Sequence, residues 1–131
     1  MTANANLLLV GRVLVALLFV YFGYLKLVGY QGTINYFTKW QFPVPEATAV
    51  LAVVIELGGG ILLLIGWKTR WVAWLFVLYV IIATAVAHRF WTYEAAQQFA
   101  QTSFFFKNLA IIGALVYIAA VGPGRLSVDK G

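Results

Sequence analysis

Four long apolar stretches alternate with short polar segments along the chain. A transmembrane helix needs about 20 mostly apolar residues, and each stretch comes close to that length. The pattern therefore predicts an all-α fold, a transmembrane four-helix bundle that forms a single membrane domain over residues 1–131. The predicted spans are residues 7–28, 48–66, 71–88 and 104–121.

The two outer loops are longer and more polar than the loop between the second and third spans. In the first of them, Thr33–Gln41 places apolar residues at helical spacing and is stopped by Pro43 and Pro45. This pattern predicts a short helix lying at the membrane surface. In the second outer loop, Thr92–Thr102 predicts another short segment of the same interfacial kind.

The second span carries one carboxylate, Glu56, inside the apolar run Ala49–Gly66. A charge at that depth is costly in lipid, so Glu56 is expected to face the interior of the bundle. Gly58, Gly59 and Gly60 follow it directly. Such small residues let a neighbouring helix come close, either within the bundle or between protomers.

Two basic side chains are candidate partners for Glu56. With a rise of about 1.5 Å per residue, Lys107 comes nearest to Glu56 in depth, and Arg12 lies nearer the opposite membrane face. Lys107 is expected in the first turn of its helix, where a positive charge opposes the helix dipole. Its position there favours a specific anionic partner. Which of the two pairs with Glu56 stays open.

Three further polar residues lie near the same half of the bundle. Asn108 follows Lys107, His88 ends the third span, and Lys26 near the end of the first span is typical of an interfacial anchor. His88 is the one histidine of the sequence, the residue type whose ordinary pKa lies closest to neutral pH. The expected ligand-binding or buried polar cluster therefore consists of Glu56, Lys107, Asn108, His88, Arg12 and Lys26. Plain structural interpretations also exist for each: an ion pair, a helix-to-helix hydrogen bond or a lysine reaching the interface.

Composition narrows the function classes. Hydrophobic residues make up 63% of the chain and charged residues 10%, against about half and a quarter in soluble proteins. The net charge of +5 comes from single basic residues between apolar runs, so no nucleic-acid partner is expected. Without cysteine the chain offers no thiolate site, and one histidine is too few for a usual zinc site. No metal and no covalently bound cofactor is expected.

Several motifs in chain order resemble a known family. They are R-x-L-V-A-L-L-F and F-G-Y-L-K-L in the first span, E-L-G-G-G in the second, G-W-K-T-R after it, F-F-K-N-L-A-I-I-G in the fourth, and G-P-G-R-L-S-V-D at the tail. This arrangement resembles the DoxX family of small four-span bacterial membrane proteins. The resemblance implies a multi-pass protein of the bacterial inner membrane with both termini in the cytoplasm. Lys68 and Arg70 in the tightest loop favour the same orientation.

The family is named after a subunit of an archaeal thiosulfate:quinone oxidoreductase, and other members are associated with membrane redox or oxidative-stress complexes. Together with the buried acid, the resemblance predicts an accessory subunit that binds a quinone or another lipophilic molecule in the bundle and contacts redox partner subunits. Any enzymatic activity would belong to such a complex, since the chain carries no electron-transfer group. A small-solute carrier or channel-like protein, a scaffold for a membrane complex, and a homo-oligomer also remain open.

Overall fold

The computed structural model describes residues 4–131, and within that range it is helical without any strand. Four helices are long and apolar enough to cross a membrane. These spans are Ala5–Val28, Pro45–Ile65, Thr69–Ala87 and Ala95–Val121. The predicted fold class, an all-α membrane bundle, is confirmed.

Local signals set the ends of the spans. Asn4 caps the first span, because its side-chain oxygen accepts two backbone N–H groups of the first turn. Pro45 opens the second span, a position where its missing N–H costs nothing. Gly66 ends that span in the left-handed conformation, with φ of 75°, which glycine adopts without steric strain.

The first outer loop contains the expected surface helix, which spans Tyr30–Lys39. Phe37 is buried on this helix and packs against Ala49 and Ala52 of the second span. Thr33 Oγ1 donates a 2.9 Å hydrogen bond to the carbonyl of Lys26. The loop is therefore folded back onto the bundle.

The second outer loop differs from the prediction. A short 3₁₀ turn, Phe90–Thr92, is followed by one continuous helix, Ala95–Val121, of 27 residues. The polar residues 95–103 extend the fourth span by about 13 Å, because glutamine and alanine are good helix formers even in water. Polarity there marks the membrane surface rather than the end of a helix. Lys107 consequently lies far inside its helix, and the expected position in the first turn was wrong.

The four spans form two hairpins. The first span packs mainly on the second and the third mainly on the fourth. Phe19 and Phe76 join the hairpins in the core, with stacked rings whose centroids lie 3.8 Å apart. We call the end with the two outer loops the loop end, and the end with residues 66–68 and the C-terminal residues the tail end.

Glycines determine how closely the spans approach. Gly59 lies against the ring of Phe76, and Gly60 lies against the backbone and side chain of Val20. These two therefore pack within the bundle, whereas a Cβ on Gly58 would meet no described atom within 4 Å. The closest approach between two spans involves Gly23 of the first span, where a Cβ would lie 2.5 Å from the backbone nitrogen of Leu57.

Arg12 holds the tail to the first span. This side chain is 3% exposed and donates hydrogen bonds to the carbonyls of Pro123, Leu126 (2.9 Å) and Leu64 (3.3 Å). The expectation that Arg12 belongs to the polar cluster around Glu56 was wrong. Its guanidinium is used at the tail end, where it satisfies three carbonyl oxygens.

Asp129 closes the tail against the third span. Its carboxylate accepts backbone hydrogen bonds from Lys68 and Thr69, each 2.9 Å long. The Asp129 pKa is lowered from its ordinary value, above all by the hydrogen bond from the Thr69 N–H. The last residues of the chain thus supply the cap that the third helix lacks locally.

The contact at Gly23 makes a first prediction. Gly23→Ala places a methyl group against the backbone of Leu57, so we expect a loss of about 1–3 kcal/mol in stability. Thermal unfolding in detergent measures this change. Gly113→Ala is the matched control, because a Cβ there meets no described atom within 4 Å. Equal stability of the two variants would contradict the close approach.

The Asp129 cap makes a second prediction, on pH dependence. Because the folded pKa lies below the ordinary value of 3.8, the carboxylate contributes stability above that value and loses it as the pH falls through the folded pKa. Asp129→Asn should therefore lower the unfolding temperature at neutral pH and flatten its decline in acid. The control is Glu94→Gln, since within the described chain the Glu94 side chain makes no capping hydrogen bond. An unchanged acid profile in Asp129→Asn would refute the cap.

Candidate ligand-binding site

Glu56 lies in a π-helical turn, Val54–Gly58, inside the second span. A π turn inserts an extra residue into a helix, re-aims the side chains around it and occurs often at functional sites. The side chain of Glu56 is 6% exposed. Regular apolar spacing gives no sign of this turn in the sequence, which predicts an unbroken α-helix.

The partners of Glu56 come from the two adjoining spans. Lys26 Nζ of the first span lies 3.1 Å from both carboxylate oxygens. The hydroxyl of Tyr79 on the third span donates to Glu56 Oε2. The predicted partners, Lys107 and Arg12, were wrong, as was the interpretation of Lys26 as a simple anchor. A single carboxylate thus links three spans.

Helix geometry explains why Lys26 is the partner. It lies three residues after Gly23, so both share one face of the first span. Gly23 brings that face against the backbone of Glu56 and Leu57. The lysine stem then reaches the carboxylate while its side chain stays 29% exposed. The spacing of Gly23 and Lys26 in the sequence indicates the contact between Lys26 and Glu56, and hydropathy alone does not reveal it.

The fourth span supplies a second polar wall. Asn108 donates a 2.9 Å hydrogen bond from Nδ2 to Thr84 Oγ1 of the third span. Lys107, its neighbour, forms no salt bridge or side-chain hydrogen bond with any of residues 4–131. The ammonium group of Lys107 is therefore the one charge of the candidate site that is not neutralised by a described residue.

His88 lies at the loop end of this wall. Its Nδ1 is 2.8 Å from Gln101 Oε1, and since an amide oxygen only accepts, Nδ1 carries the proton. Neutral His88 then keeps Nε2 as an acceptor. The imidazole also lies beside the ring of Phe104, with centroids 5.4 Å apart. Gln101, on the extension of the fourth helix, thereby fixes the orientation of His88.

A cavity of about 720 Å³ separates the two polar walls. Binding sites for small molecules are commonly of this size and mostly apolar, with a few polar groups. Its charged residues, one carboxylate and two ammonium groups, sum to a formal +1. The apolar lining includes Leu18, Phe19, Phe22, Leu25, Tyr36, Phe37, Phe42, Val80, Ala83, Phe104 and Ile111.

The cavity brings together five of the six residues predicted for the polar cluster: Glu56, Lys26, Lys107, Asn108 and His88. Arg12 lines a different cavity. Tyr79, Thr84 and Gln101 were not predicted, because a tyrosine, a threonine or a glutamine in a helix usually packs or caps without a site. Within residues 4–131, no cluster of histidine and acidic side chains could hold a metal ion.

The two lysines predict opposite effects on stability. Lys26→Met leaves the buried Glu56 charge without its cation, which costs about 3–5 kcal/mol for a fully buried pair and about half of that here, because Lys26 is partly exposed. Lys107→Met removes an unneutralised charge and should leave stability unchanged or slightly raised. Thermal unfolding of both variants in detergent tests this difference. Equal losses of stability in the two variants would show that Lys26 is not the cation that neutralises Glu56.

The chain is similar to known proteins over nearly its whole length. A family model described as DoxX matches residues 7–89. The inner membrane protein YphA of Escherichia coli is 36% identical over 128 residues, 98% of this chain and 91% of YphA. The inner membrane protein YqjF of the same organism is 34% identical over 122 residues, 93% of this chain and 88% of YqjF.

A more distant similarity reaches eukaryotes. The ER-derived vesicles protein ERV29 of Saccharomyces cerevisiae is 28% identical over 128 residues, 98% of this chain but 34% of ERV29. No solved structure matches. The two inner membrane relatives and the four candidate spans indicate a multi-pass protein of the bacterial inner membrane. The chain belongs to the DoxX family.

Proposed function

We propose that this protein binds a lipophilic small molecule in the cavity between its hairpins and acts as an accessory subunit of a quinone-linked redox system in the membrane. One observation carries the proposal. An apolar cavity of about 720 Å³ is lined both by Lys107, which has no acidic partner among the described residues, and by Glu56, whose carboxylate Lys26 already neutralises.

A quinone fits the residues that line the cavity. Its flat ring would lie among Phe19, Phe22 and Phe104, and its carbonyl oxygens only accept hydrogen bonds. Lys107 Nζ can donate to such an oxygen. A bound quinone would supply the electron chemistry that this chain lacks, in association with redox partner subunits.

Two groups beside the cavity can hold a proton. His88 Nε2 is an acceptor when Nδ1 donates to Gln101. The carboxylate of Glu56 accepts a hydrogen bond from the hydroxyl of Tyr79. Groups of this kind serve as proton carriers when they lie beside a ligand that gains or loses protons. His88 is therefore proposed to exchange protons with the quinone ring. Glu56 is proposed to balance the charge of the wall that it forms with Lys26.

The tail end is proposed to face the cytoplasm. It carries Lys68 in the shortest loop, Arg70 in the first turn of the third span, and Arg125 and Lys130 in the tail. Excess basic residues in short loops mark the cytoplasmic side. The candidate site would then lie in the half of the membrane away from the cytoplasm.

Binding measurements test the proposed function. Lys107→Met should weaken binding of a soluble quinone analogue to the purified protein by about tenfold, the loss expected for one hydrogen bond to a charged donor. Titration followed by intrinsic tryptophan fluorescence or calorimetry measures the affinity. Lys39→Met is the matched control, because Lys39 lies on the surface helix outside the cavity lining.

The alternatives give different outcomes in the same measurement. If wild type binds no quinone analogue, the proposed ligand is wrong. A scaffold without a ligand would lose stability on Glu56→Gln and show no binding to lose. A small-solute carrier would instead show flux into liposomes that Glu56→Gln abolishes, with no saturable quinone binding in detergent.

A further inference from the structure

We infer that the ligand of the proposed site carries a hydrocarbon tail, and that this tail lies in a groove between the first and fourth spans, which runs from the cavity toward the tail end. The inference rests on the proposed function, since the cavity is taken to hold the head of the same molecule. It adds where the rest of that molecule lies and what chemical class it belongs to, an amphiphile with a single long apolar chain.

Besides the cavity of the candidate site, the groove includes a second cavity of about 340 Å³. It lies nearer the tail end, and almost all of its walls are apolar. The first span contributes Leu7, Leu8, Gly11, Arg12 and Val15, and the fourth contributes Ala114, Tyr117, Ile118, Val121 and Gly122.

Both cavities lie along the same seam. Residues of the first span that are three or four positions apart line first one cavity and then the other. They therefore form one stripe on one face of the helix. The stripe consists of Leu8, Gly11, Val15, Leu18, Phe22 and Leu25. The fourth span faces it with a stripe of the same spacing, formed by Phe104, Asn108, Ile111, Ala114 and Ile118.

The seam is open because the two hairpins meet loosely there. The first span packs less extensively on the fourth than on the second. A Cβ on Gly11 would meet no described atom within 4 Å. In a bilayer, lipid is as apolar as leucine, so nothing drives such a groove to close on itself. A hydrocarbon chain that fills the groove makes the van der Waals contacts that the two helices do not make with each other.

The polar groups decide how the occupant is oriented. Lys107 at the cavity end is the charge that no described residue neutralises, so a polar head fits there. Arg12 borders the groove at the other end, but its guanidinium donates to the carbonyls of Pro123, Leu126 and Leu64. Arg12 Nε has no hydrogen-bond partner among residues 4–131 but is buried from the surface, so that end presents no accessible donor to a second head group. A molecule with one polar head and one apolar tail matches this arrangement.

The test uses groove-filling variants and two probes. Gly11→Leu and Ala114→Leu place bulk in the groove from opposite walls, and Gly113→Leu is the matched control, because Gly113 is equally open but lines neither cavity. The probes are a benzoquinone with a long alkyl tail and the same ring without a tail. Their affinities are measured for each purified variant in one detergent.

We expect Gly11→Leu and Ala114→Leu to weaken binding of the tailed quinone by tenfold or more, and to leave the tail-less ring bound as in wild type. Gly113→Leu should bind both probes as wild type does. Retained binding of the tail-less ring shows that each variant is folded.

Three results would overturn the groove. The first is binding of the tailed probe by Gly11→Leu and Ala114→Leu as in wild type, and the second is an equal loss of its binding in Gly113→Leu. In both cases the tail-less ring still binds and the proposed function stands. If neither probe binds to wild type, the proposed function fails and the groove fails with it.

Discussion

A negative charge inside the hydrocarbon layer has to be neutralised by the protein itself, and the contact between Glu56 and Lys26 meets that requirement. The rest of the loop end is arranged around it. Gly23 permits the backbones to touch, the π turn re-aims the carboxylate, and Tyr79 brings in the third span. Removing either charge would leave the other without compensation, so a single carboxylate adds a polar link among three spans that otherwise meet mainly through apolar contacts.

The loop end divides its charges unequally between two walls. One wall is internally balanced, because Glu56 is matched by Lys26. The other wall keeps the charge of Lys107, and its remaining polar groups, Asn108 and His88, are held by Thr84 and Gln101. Under the proposed function, such a division separates stability from binding: one wall stabilises the bundle, and the other has the group that would bind the ligand.

Hydropathy was sufficient to predict the spans, because a chain in lipid must satisfy its backbone internally and helices are the simplest way to do so. It was not sufficient to predict which lysine meets Glu56. Depth counted at about 1.5 Å per residue takes the tail-end residue of every span to lie at the same membrane face, whereas Gly23 of the first span lies against Leu57 of the second, which brings Lys26 beside Glu56. Depth also does not determine rotation about the helix axis, which the π turn changes around Glu56.

The tail contacts lay outside the reach of sequence reasoning for a different reason. Arg12 donates to backbone carbonyls, and every residue has a carbonyl, so no residue type marks the acceptors. Asp129 likewise accepts from backbone N–H groups of Lys68 and Thr69. The sequence showed these residues and their charges, but the chain reversal that brings them together depends on the packing of all four spans.

The hydrogen bonds between Arg12 and the tail have a consequence for biosynthesis. The acceptor carbonyls of Pro123 and Leu126 lie more than a hundred positions downstream of Arg12, so they are synthesised after all four spans. Until then the guanidinium of a nascent first helix must remain near water and lipid phosphates. The first span therefore acquires the contacts of this cation only after the fourth span has been made, so the start of the bundle is fixed by residues that are synthesised much later.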